Sequence, residues 1–106
     1  GNTKRFIVNN EIQSGANGFV TFADGAITIT ASGQAARNAS GQPVGWFDPA
    51  KPVIATFSHL GGETFQAEGL LPLHHAVAVG ETEYRFSLVS GPRAFIQVTG
   101  ETCPFP

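Results

Sequence analysis

The sequence predicts an all-β fold: a single-domain antiparallel β-sandwich or small jelly-roll-like barrel of about six to eight short strands. Three observations carry that prediction. Stretches with apolar residues at every second position flank Asp24-Gly25, a pair that favours a type I′ hairpin because both residues tolerate positive φ. No segment sustains an apolar period of about 3.6 residues over several capped turns. Clusters of Gly, Pro, Asn, Asp and Ser recur roughly every eight to twelve residues, as they do between the short strands of β-domains. With no repeat and no linker in view, residues 1–106 read as one β domain.

Residues 4–12 read as a first strand with Phe6 and Val8 on one face, and residues 14–18 as a turn rich in positive-φ formers. Across Asp24-Gly25, Phe22 is expected to pair with Ile27 and Val20 with Ile29 on a core face, while Thr21 meets Thr28 on the solvent face. Phe19, opposite Thr30, is the large apolar residue left on the polar side. Residues 32–45 lack a usable period and contain three glycines, so they read as the longest loop of the chain. Pro49 and Pro52 interrupt any ladder there. Residues 53–58 form a further strand, 59–63 a turn, 64–67 a weak strand and 70–73 an irregular apolar crossing. Residues 74–79 read as a short strand. In the second hairpin Tyr84, Phe86 and Leu88 share the inward face with Ala94, Ile96 and Val98 across a turn at 90–93. Residues 101–106 read as a proline-braked tail unable to continue the sheet.

A chain of 106 residues can bury a core without metal or disulfide support. Its net charge of −2 offers no basic stripe for nucleic acid or an anionic membrane surface, and no apolar run is long enough to span a bilayer. The expected partners therefore include neither nucleic acid nor membrane. Charged residues make up 13% of the chain, against about 25% in ordinary soluble domains, while 42% of residues are apolar and nine are Phe. That deficit implies surface covered by a partner, most simply a second copy, so a homo-oligomer is expected. Phe19 and Phe95, apolar residues on the wrong face of their strands, are the expected interface. The single Cys103 cannot form an internal disulfide and reads as a tail thiol or an intermolecular bridge. With no Met, the chain reads as processed or excised from something longer, and Gly1 fits a tag scar.

Candidate chemistry falls in two places. His59, His74, His75 and Glu81, with Glu63 nearby, are residue types that ligate transition metals. The region loosely resembles a metal-binding cupin, which implies a metal-dependent enzyme, but a cupin needs His-x-His closely followed by Glu. Here the pair is His74-His75 and Glu81 lies six positions on. Adjacent strand residues point to opposite faces, so one histidine should be exposed and the other packed. The second place is Trp46 with Asp48, Asn38, Gln42 and Arg37. A flat ring beside amides and a carboxylate suits a glycan, the ring stacking on C–H faces while the polar groups fix hydroxyls. The run 26–33 is similar to the corresponding stretch of small bacterial galactose-binding lectins of jelly-roll type, whose calcium loop this sequence lacks. Asp24 and Asp48 have turn roles instead. Asn38-Ala39-Ser40 is formally a glycosylation acceptor.

No G-x-S-x-G elbow occurs, and Glu63, Glu68, Glu81, Glu83 and Glu101 sit at turns or strand ends as solvated charges. No catalytic residue and no cofactor is expected. The reading that follows is a non-enzymatic structural or adhesive β-module, assembling with itself or a larger body such as a surface appendage, fibre or particle, and located outside the cell or at a particle surface. The alternatives are a lectin-like module built on the Trp46 loop and a cupin-like metalloenzyme.

Overall fold

A computed structural model describes residues 2–10 and 18–104. Residues 14–17 of the turn predicted at 14–18, 11–12 of the predicted first strand and 105–106 of the predicted tail lie outside the described residues. The fold is all-β and forms a β-sandwich. Its strands are β1 (Asn2–Ile7), β2 (Val20–Phe22), β3 (Ile27–Gly33), β4 (Ala35–Arg37), β5 (Pro43–Phe47), β6 (Val53–His59), β7 (Thr64–Gly69), β8 (Leu73–Val79), β9 (Thr82–Ser90) and β10 (Phe95–Pro104). One sheet has the order β1-β10-β9-β8, the other β2-β3-β6-β7, and β4 pairs with β5 in a separate two-stranded ribbon. All paired strands run antiparallel. The chain therefore crosses between the sheets on both flanks, from β1 to β2 on one side and from β7 to β8 on the other.

Period-two alternation accounts for the core. Val20↔Ile29, Thr21↔Thr28 and Phe22↔Ile27 pair in the expected register, and the four apolar members are buried. Ala23 (φ 56°), Asp24 (φ 53°) and Gly25 (φ 87°) all take positive φ, so the connection has one more left-handed residue than the two-residue type I′ turn expected at Asp24-Gly25, and two overlapping turns, Gly25 N to Phe22 O and Ala26 N to Ala23 O, close it. Val53, Ala55 and Phe57 on β6, Phe86 and Leu88 on β9, and Ile96 and Val98 on β10 complete the inner layers. Phe86 lies at the centre: Phe22 meets it edge-on with centroids 5.0 Å apart, and Phe57 stacks against it at 5.8 Å. Gly100 passes beneath this cluster. A Cβ there would lie 2.9 Å from the Phe22 ring and 3.1 Å from that of Phe86, so the rings fit because the position is bare.

Three expectations change. Residues 32–45 are not a long loop: β3 continues to Gly33, and β4 and β5 form a hairpin with a register shift between Ala35 and Arg37. Small residues carry little period, so the pattern was invisible although Ala35 and Phe47 are buried. The tail expected at 101–106 is strand through Pro104, with Thr102↔Tyr84, Cys103↔Glu83 and Pro104↔Thr82. Proline disrupts a ladder where its missing N–H would donate, and Pro104 is the last pair of its ladder. Ala94, expected on the inward face, sits in the turn before β10 at φ 71°.

Candidate functional site

The sandwich has two flanks of different construction. On the β1/β2 flank, Lys4 Nζ donates to the Thr21 carbonyl and lies 4.7 Å from the centroid of Phe22, tying one sheet to the other. Val8 is fully buried. Its amide donates to Ala94 O at 2.7 Å, the Asn9 amide donates to Ala31 O at 2.9 Å, and Asn9 O accepts from Gly33 N at 2.9 Å. Two consecutive residues thus stitch both sheets through the backbone.

On the β7/β8 flank the chain crosses through Leu70, Leu71 and Pro72, with a cis peptide between the last two. Phe65 pairs with buried Phe57 and so faces the inner layer, yet it remains 41% exposed, and Leu70 is 57% exposed. A cleft of about 370 Å³ opens between the two sheets here, lined by His59, Glu63, Phe65 and the β8 stretch His75-Ala76-Val77-Ala78. His75 stacks on Phe57 with centroids 4.4 Å apart, and Phe65 lies tilted at 6.3 Å. Burial holds the His75 imidazole below its ordinary pKa of 6.5, because desolvation disfavours the cation. His74 points the other way, its Nδ1 3.1 Å from Ser87 Oγ on the outer face. The two histidines thus face opposite sides, as alternation requires.

The cleft gathers His59, Glu63 and His75 but neither His74 nor Glu81, which lies in the β8–β9 turn, about 20 Å along the chain from His75 at strand rise. Among the described residues no group of three or more His, Cys, Asp or Glu side chains is placed to hold a metal ion. The five residues considered for a glycan divide between the tip and the base of the β4–β5 ribbon. At the tip, Asn38 Oδ1 accepts from Ser40 N at 2.9 Å and Gln42 N at 3.0 Å, and Arg37 Nη1 donates to Gly41 O at 2.9 Å. These contacts hold the turn itself. At the base, Asp48 Oδ1 accepts from Ala50 N at 2.9 Å, and the Arg93 guanidinium covers Trp46 at 4.4 Å from its centroid. These contacts thus tie Arg37 and Asn38 to the tip turn, and Trp46 and Asp48 to residues at the base.

Phe19 is exposed, whereas Phe95 is half-buried with the Arg5 guanidinium 5.1 Å from its centroid. Phe19 precedes β2 of one sheet, and Phe95 opens β10 of the other. The exposed apolar residues that sequence reasoning missed are Leu60, Phe65 and Leu70 around β7, and Val89 on β9. Phe65 carries the same alternation as the core, so its exposure had no signal in the sequence. Compared with known protein families, curated proteins and solved structures, the chain matches none of them.

Proposed function

We propose that the chain is a non-catalytic structural or adhesive β-module that works by assembling with further copies of itself through the β7/β8 flank. One observation carries the reading: this flank leaves two adjacent strand edges open, with the inner-layer residue Phe65 and the crossing residue Leu70 exposed beside them. Open edges with apolar neighbours are what natural β-proteins cover by contact with a partner. The low charge of the chain, 13% of residues, supports it, since a lone domain gains solubility from charge that this one lacks. The module would suit a fibre, appendage or particle surface, where repeated protein–protein contact is the activity.

Sedimentation equilibrium over a concentration series tests this. The apparent mass is expected to rise with concentration toward a defined oligomer, and Phe65→Glu to lower it at every concentration. A monomer persisting to several hundred micromolar removes the reading.

A further inference from the structure

Resting on that reading, we infer that the occupant of the open flank is β8 of a second copy, paired antiparallel about a twofold axis at Ala76. The free edges of the two sheets differ in how they are guarded. β1 carries Lys4 and Arg5, β2 is three residues long, and β7 carries Glu68. Such charges and short lengths are the devices that discourage edge-to-edge pairing. β8 has seven residues, Leu73-His74-His75-Ala76-Val77-Ala78-Val79, with no charged side chain and no proline. It is the unguarded edge, and a second β8 is the strand of this chain that meets it without a charge.

The register follows from the β8–β9 hairpin. Val79 pairs with Thr82 across Gly80-Glu81, and Gly80 takes φ 61°, which marks a two-residue turn with Gly at its first central position. The closing pair of such a turn exchanges both backbone hydrogen bonds, and bonded pairs alternate along an antiparallel ladder. Val79, Val77, His75 and Leu73 therefore bond to β9, and His74, Ala76 and Ala78 present their N–H and C=O groups to the open side. A twofold at Ala76 sets Ala76 against itself and His74 against Ala78, using all three outward residues in about six backbone bonds. Moving the axis by one residue toward the start of β8 sets Ala78 against Pro72, which has no N–H to give. The outer-face side chains at the seam are Ala76 and Ala78, small and exposed, and His74, whose ring lies back against its own sheet with Nδ1 3.1 Å from Ser87 Oγ, so a second backbone can approach. On the inner face, Leu73 meets Val79 and His75 meets Val77 of the second copy, extending the apolar layer beside Phe65. The four-stranded sheet becomes one continuous sheet of eight strands with its unguarded edges consumed.

Sedimentation under reducing conditions separates this inference from the reading beneath it. Ala76→Lys sets two like charges opposite one another at the axis, and Val89→Lys adds the same charge on the exposed outer face of β9. If the native chain dimerises, Ala76→Lys weakens association at least tenfold and Val89→Lys leaves it near native, the β8 pairing stands. A native dimer unaffected by Ala76→Lys overturns the β8 pairing and leaves assembly by another surface. A native monomer overturns both. Hydrogen exchange on the unmodified protein decides independently of whether the variant folds: the His74, Ala76 and Ala78 amides gain protection as concentration rises. Unchanged exchange at these amides in a sample that sedimentation shows to be dimeric sinks the inference.

Discussion

The two flanks are built from the same kind of strand and both end in free sheet edges, yet one has its two sheets stitched together and the other opens into a cleft, and the difference lies in what crosses them. On the β1/β2 side the crossing chain lends its own backbone: Val8 bonds to one sheet and Asn9 to the other, while the Lys4 ammonium caps Phe22. On the β7/β8 side the crossing is Leu70-Leu71-Pro72, where proline has no donor to offer and the contacts are ring against ring, His75 on Phe57 beside Phe65. Stability is concentrated where backbone groups of both sheets are satisfied internally.

Matched truncations break this comparison most directly. Phe22→Ala on the closed side removes a ring only 6% exposed and is expected to cost about 3–5 kcal/mol in urea unfolding. Phe65→Ala on the open side, at 41% exposure, is expected to cost less than about 1 kcal/mol in the monomer, as for a surface change. Equal costs would mean that the flanks are equally packed. Next in size is Gly100→Ala. The new methyl meets the Phe22 and Phe86 rings at about 3 Å, and overpacking of this kind costs about 1–3 kcal/mol. A neutral result would show that the rings beneath the closed flank have room to shift.

Much of the fold was legible in the sequence because a half-buried sheet writes a period-two pattern wherever large apolar residues alternate with polar ones. The Phe22/Ile27 hairpin, β6 and the inward faces of β9 and β10 follow from that pattern alone. The ribbon did not, since Ala35, Ala36, Gly41 and Gly45 have too little side chain to show a face. The open flank was illegible for a different reason. Phe65 shares a face with its partner Phe57, and whether such a residue is covered depends on how far the opposite sheet reaches, which no local pattern records. The Val8-Asn9 stitching is backbone chemistry, independent of side-chain type. The opposite orientation of His74 and His75, by contrast, was readable from adjacency.

A smaller effect isolates the Lys4 tie. Lys4→Met keeps most of the apolar stem and removes the charge over Phe22 and the bond to Thr21 O. The two losses together are expected to cost about 1 kcal/mol, and to raise exchange at the β2 amides while leaving β8 unchanged. Equal changes at both flanks would mean that the tie serves the whole sandwich rather than its own side.

The smallest effect tests how dry the open flank is. Burial lowers the pKa of His75 from 6.5, so the unfolded chain binds a proton at this position more readily than the folded one. Its contribution to stability is therefore intact above about pH 6.5, declines as pH falls through that value, and levels off below the lowered folded value. His75→Phe keeps a ring against Phe57 and removes the titration. Urea midpoints of the two proteins at pH 7.5 and pH 5 should diverge, the native chain losing more on acidification. Raising the concentration should widen the divergence, since pairing through β8 would place Val77 of the second copy beside His75 and withdraw more water from it. Identical acid sensitivity in the two proteins, at low and high concentration alike, would show that water reaches His75 freely and that this flank is open without being poised for a partner.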